Sequence, residues 1–74
     1  MPQQDTVQSY QIPQIRVTRA EGEPIEVDVG GQHKGRLIQT GPRTREWEWD
    51  KVPSSDTYVW VWSAVERFED QYGR

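Results

Sequence analysis

Seventy-four residues with a hydrophobic fraction of 32%, a net charge of −3 and no cysteine describe one small domain with a thin core, and exclude a second domain, a disulfide framework and a thiolate metal site. So few aliphatic residues would suit disorder, but disorder also requires a high net charge; four tryptophans and three tyrosines, each able to bury about 150–250 Å², supply the missing apolar area. The mild acidity disfavours non-specific attachment to nucleic acid, no apolar run approaches the ~18 residues of a membrane span, and the opening MPQQDTVQSYQ has neither the basic start nor the apolar middle of a secretory signal, so a soluble, intracellular, cytoplasmic protein without membrane contact is expected.

Residues 1–9 are polar, with Pro2 near the end, and read as a disordered lead; residues 10–74 form the single β-rich domain. Pro13 stops strand pairing upstream of it, so Tyr10 and Ile12 belong to a separate edge segment. From Ile15 the pattern alternates. Ile15 and Val17 share one parity, and Ile25, Val27 and Val29 repeat it after the turn-like AEGEP, which predicts a hairpin. Pairing Val17 with Val27 places Ile15 across from Val29 on the inner face and Arg16 across from Asp28 on the outer, opposite charges together. GGQHKG then breaks the chain, RLIQT forms a short strand, and TGPRT turns into REWEWD. KVPSSD, with Pro53 preventing continuation, leads to TYVWVW. The period changes only at the end: Ser63 with Glu66 forms a capping box, Val65, Phe68 and Tyr72 share a helical face, and Gly73 suits the C-terminal cap. A helix of two to three turns is expected over about residues 64–72.

The stretch EWEWDKVPSSDTYVWVW, residues 46–62, holds all four tryptophans and reads as an aromatic hairpin with two registers. In the first, Trp47 faces Trp60 and Trp49 faces Tyr58, so one face collects Trp47, Trp49, Tyr58, Trp60 and Trp62 with Arg45 beside them. In the second, shifted by one residue, Trp47 and Trp49 join Val61 and Val59 inside while Tyr58, Trp60 and Trp62 line an outer face. The first is preferred. Three exposed rings would forfeit about 1.5–3 kcal/mol each, in a domain whose total stability is ~5–15 kcal/mol.

Little in the sequence carries catalytic chemistry. Gly30 to Leu37, GGQHKGRL, has the G-x-x-x-x-G spacing of a phosphate-binding loop, but Arg36 stands in place of the lysine, Leu37 in place of the hydroxyl residue, and no helix follows, so it reads as a glycine-rich turn. His33 is the single histidine and sits in a polar loop without a catalytic partner. Ser54 and Ser55 lie in a turn and Ser63 in a cap, so no serine, histidine and acid constellation arises. The many carboxylates lie on faces that look solvated rather than in the buried surroundings acid catalysis needs. An enzyme is therefore not expected, nor are a cofactor or a metal.

The fold expected from these elements is mainly β: a small antiparallel meander of about five strands, curled into a barrel or half-barrel, with the short C-terminal helix across one opening; a sheet with a helix on one face is the alternative. The function expected is a small non-enzymatic protein–protein interaction module, an adaptor or inhibitor of a larger complex, whose partner is another protein or a second copy of this chain. Tyr58, Trp60, Trp62, Arg43 and Arg45 would carry it, since tryptophan, tyrosine and arginine dominate interface energetics. Single-stranded nucleic-acid binding by a small barrel is the alternative, through His33, Lys34, Arg36, Arg43, Arg45 and Trp47, which combine cations with a stacking ring. A second alternative is an acidic nucleic-acid mimic for a basic protein: Glu46, Glu48 and Asp50, about 6.6–6.8 Å apart along a strand, match the spacing of successive phosphates.

Overall fold

The computed structural model describes residues 7–73. Five antiparallel strands, β1 (Gln8–Ile12), β2 (Ile15–Arg19), β3 (Ile25–Val29), β4 (His33–Gln39) and β5 (Arg45–Trp49), follow one another in a meander, and a helix, α1 (Ser55–Tyr72), closes the chain. Short connections make sequential strands neighbours. The β2–β3 hairpin has the expected register, Val17 opposite Val27, Ile15 opposite Val29 and Arg16 opposite Asp28. Gly30 and Gly31, at φ 59° and 73°, turn the chain between β3 and β4 in a region that side-chain-bearing residues rarely enter.

The sheet is open. β1 and β5 are its two edges, so the expected barrel does not form, and the architecture is the alternative, a sheet with a helix on one face. Pro13 does not isolate the segment before it: Pro13 and Gln14 are the two turn residues of a hairpin in which Ile12 pairs with Ile15 and Tyr10 with Val17. Pro13 only has to sit in the turn, where its missing N–H costs nothing. Of the expected lead, Gln8 and Ser9 belong to β1, and residues 1–6 lie outside the described residues. The break after β3 is also shorter than expected, because Gln32 ends the turn by donating its amide to Val29 carbonyl; His33, Lys34 and Gly35 are part of β4, not of a loop.

The largest difference concerns residues 55–62. TYVWVW is not a strand but the first half of an eighteen-residue helix, so neither register of the aromatic hairpin exists. The N-cap is Ser54, whose hydroxyl accepts from Thr57 N–H, and not Ser63, which lies mid-helix. Gly73 ends the helix as expected, donating its amide to Glu69 carbonyl. Valine and tryptophan favour strands locally, but Val61, Ala64, Val65 and Phe68 form one helical stripe and all four are fully buried. Against them pack Ile15, Val17, Ile25, Val27 and Leu37 from the sheet, with Tyr10, Ile12, Val29, Trp47, Trp49 and Tyr72 around the margin. No polar or charged residue is buried among those described.

Candidate docking surface

The helix backbone lies closest to β1 and β2. That placement opens a wedge on the other side, between α1 and β4–β5, and the wedge is filled by rings. Trp47 and Trp49 project from β5 and stack with centroids 5.0 Å apart; Tyr58 meets Trp49 edge-on at 5.6 Å and Trp62 meets Trp47 edge-on at 5.5 Å. Space for Trp49 comes from Gly35, its cross-strand partner: a Cβ at position 35 would lie 2.5 Å from the indole. Both indole N–H groups of the β5 pair are buried without a hydrogen-bond partner, so they contribute area rather than bonding. Beside them, Arg45 donates to Glu69 at 2.6 Å in a partly buried ion pair and lies 5.9 Å from the ring centre of Trp62.

The expected partner-binding residues therefore divide. Tyr58, Trp62 and Arg45 belong to this cluster, with Trp62 still 38% exposed, and Arg43 stands exposed in the loop between β4 and β5. Trp60 is elsewhere. Positions 58 and 62 are neighbours in a strand and in a helix alike, but position 60 shares their face only in a strand and turns roughly 200° from Tyr58 in a helix of 3.6 residues per turn. It is 62% exposed on the flank of α1 above β1, at the mouth of a groove of about 460 Å³ lined by Ile12, Pro13, Ile15 and Val29 from the sheet and by Ser63 and Arg67 from the helix. Sequence reasoning missed Ile12, Pro13, Val29 and Arg67 as lining residues; the stripe Tyr58, Val61, Val65, Phe68, Tyr72, at helical spacing, signals the helix that turns Trp60 away from Tyr58, but not the sheet residues beneath it.

The residues of the nucleic-acid alternative are also divided. Lys34 and Arg36 point to the outer face of the sheet, whereas Trp47 and Arg45 lie on the helix side and His33 is tied by its Nδ1–H to Lys51 carbonyl at 2.8 Å. The outer face alternates charge in cross-strand rows: Arg16, Asp28, Lys34 in one and Glu26, Arg36, Glu48 in the next. The acidic ladder is consequently interrupted by cations. Glu48 accepts from Arg36 at 3.0 Å, and Asp50 accepts the Lys34 amide at 2.8 Å, which holds its carboxyl below the usual aspartate range; Glu46 stands opposite Ile38. The exposed Arg36–Glu48 pair is worth only about 0–1 kcal/mol.

Among the described residues no group of three or more histidine or acidic side chains is placed to hold a metal ion, and no helix is long and apolar enough to cross a membrane. No protein-family model matches the chain, and neither the curated proteins nor the solved structures compared with it gave a match.

Proposed function

We propose that this chain is a small non-enzymatic protein-binding module, an adaptor or an inhibitor, that docks through the groove between α1 and the β1–β2 hairpin with Trp60 as its anchor. The observation that carries this reading is the exposure of Trp60, 62%, beside the apolar walls of Ile12, Pro13 and Val29. A small domain short of apolar residues gains by burying such a ring, and an indole left outside next to an apolar groove is the arrangement found at protein–protein hot spots. Trp62 is a poorer anchor, because Trp47 and Arg45 already engage it.

The test compares Trp60→Ala with Trp62→Ala. Trp60→Ala should abolish capture of the partner while shifting intrinsic stability by no more than about 0.5 kcal/mol, the range of surface substitutions. Trp62→Ala should retain capture and lose about 0.5–1.5 kcal/mol of aromatic packing beyond its buried area. Equal capture by the parent chain and Trp60→Ala would remove the groove from consideration.

A further inference from the structure

The two edges of the sheet differ in what they would do to a strand laid beside them. β5 carries Glu46 and Glu48 at alternate positions; a second β5, antiparallel and centred on Trp47, would set each glutamate opposite a glutamate, a like-charge contact that edge strands use against pairing. β1, QSYQI, carries no charge at all. Because a two-residue turn closes β1 onto β2, the closing pair Ile12–Ile15 exchanges its hydrogen bonds, and Ser9 and Gln11 direct their backbone N–H and C=O groups to the free edge. The hydroxyl of Tyr72 donates to Ser9 carbonyl at 2.9 Å, which occupies one of that oxygen's two lone pairs and leaves the other.

We propose that the Trp60 groove is closed by a second copy of this chain, joined by antiparallel pairing of β1 with β1 about a two-fold axis at Tyr10. This inference rests on the protein-binding reading above and names the partner for the same groove. About that axis Ser9 of each copy pairs with Gln11 of the other through their outward backbone groups, and the two Tyr10 rings meet on the helix side. The helices fit as well. Neighbouring strands lie about 4.7–4.9 Å apart, and α1 packs on both β1 and β2; with its axis over the interval between them it stands about one strand spacing from the two-fold axis, which sets the two helices about 10 Å apart, the upper end of the 8–10 Å range for packed helices. Trp60 and Thr57 line the groove beside Ile12 while Tyr72 reaches Ser9, so α1 runs opposite to β1 and the facing helices are antiparallel. With the helices crossing beside Ser63, Arg67 of each copy lies against Trp60 of the other, cation over ring, and the small, half-buried Ser63 side chain permits close approach.

Sedimentation through the micromolar range should give twice the 8.7 kDa chain mass. The paired substitution Ser9→Glu with Gln11→Glu should weaken the dimer by about tenfold or more, since it sets glutamate opposite glutamate twice across the axis, while the new carboxyl at position 11 faces Arg16 in its own sheet and preserves the fold, read by an unchanged circular dichroism spectrum. Gln11→Pro, which removes one outward N–H, should do the same by a different route. A monomer throughout the concentration series, or a dimer indifferent to both changes, overturns the proposal. A photoreactive side chain in place of Ser63, activated in cells, separates this inference from the reading it rests on. A covalent adduct of twice the chain mass supports the second copy. An adduct of any other mass overturns the second copy and leaves a groove that binds a different protein. The absence of any adduct overturns both.

Discussion

Over β1 and β2 the helix lies directly on the sheet, and valine, isoleucine, alanine and phenylalanine fill the interval; over β4 and β5 it stands away, and three tryptophans and a tyrosine fill the wedge. The first half is close-packed from small parts and ends in an uncharged strand. The second bridges a wider gap with large rings, relies on a glycine to seat one of them, and ends in a strand guarded by glutamates. One layer thus satisfies two different demands. Where the backbones are close, volume must be small and shape decides; where they diverge, each indole covers about 150–250 Å² that no aliphatic side chain could span. The exposure of Trp60 follows from the same asymmetry, because this ring lies on the close-packed side, where no wedge is left to receive it.

Three measurements bear on that contrast. Phe68→Ala, on the close-packed side, should be the most damaging: Phe68 is fully buried, with Arg19 5.0 Å above its ring and Tyr72 4.9 Å away, and the loss should be about 3–5 kcal/mol by chemical denaturation. Loss below about 1 kcal/mol would mean that this half is as tolerant as the ring-filled one. Gly35→Ala acts on the other half. The added methyl meets the Trp49 indole at 2.5 Å, so a destabilisation of about 1–3 kcal/mol from overpacking is expected, accompanied by a change in tryptophan emission as the stacked pair is displaced. An unaltered emission spectrum would show that the rings are not seated by this glycine. The smallest effect is electrostatic. The Lys34 amide lowers the Asp50 carboxyl from its ordinary value, so the folded state binds that proton less readily than the unfolded chain. The resulting stabilisation is complete above the unfolded carboxyl range and disappears as the pH falls through the lowered folded value. Asp50→Asn should flatten the acid limb of the stability curve, and an acid limb of undiminished slope would remove Asp50 as a contributor.

The strands were legible in the sequence to the extent that their two faces differ chemically. In β2 and β3 the apolar parity is clean and Arg16 meets Asp28, so hairpin and register follow from the alternation alone. β1 is an edge strand, as expected for Tyr10 and Ile12, but not a separate one, because Pro13 stops pairing only if the strand runs through it; in a two-residue turn it starts a hairpin instead. The aromatic cluster was legible in part for a geometric reason. Tyr58 and Trp62 share a face whether the chain is extended or helical, so their meeting with Trp47 and Trp49 survives the wrong secondary structure, while Trp60, which shares it only in a strand, does not. The groove at Trp60 was not legible, since its walls come from β1, β2, β3 and α1 and no pattern within one element brings them together.

By itself the sequence determined a thin-cored domain, the β2–β3 pairing, the glycine turn after β3 and the C-terminal cap at Gly73, all of which depend on neighbours along the chain or on a single clean alternation. The tertiary structure decided the state of residues 55–62. Strand propensity there amounts to fractions of a kcal/mol per residue, whereas burying the stripe Val61, Ala64, Val65 and Phe68 on the sheet returns about 1.5–3 kcal/mol for each large apolar side chain. Only the helix lines that stripe up, and in doing so it turns Trp60 outward.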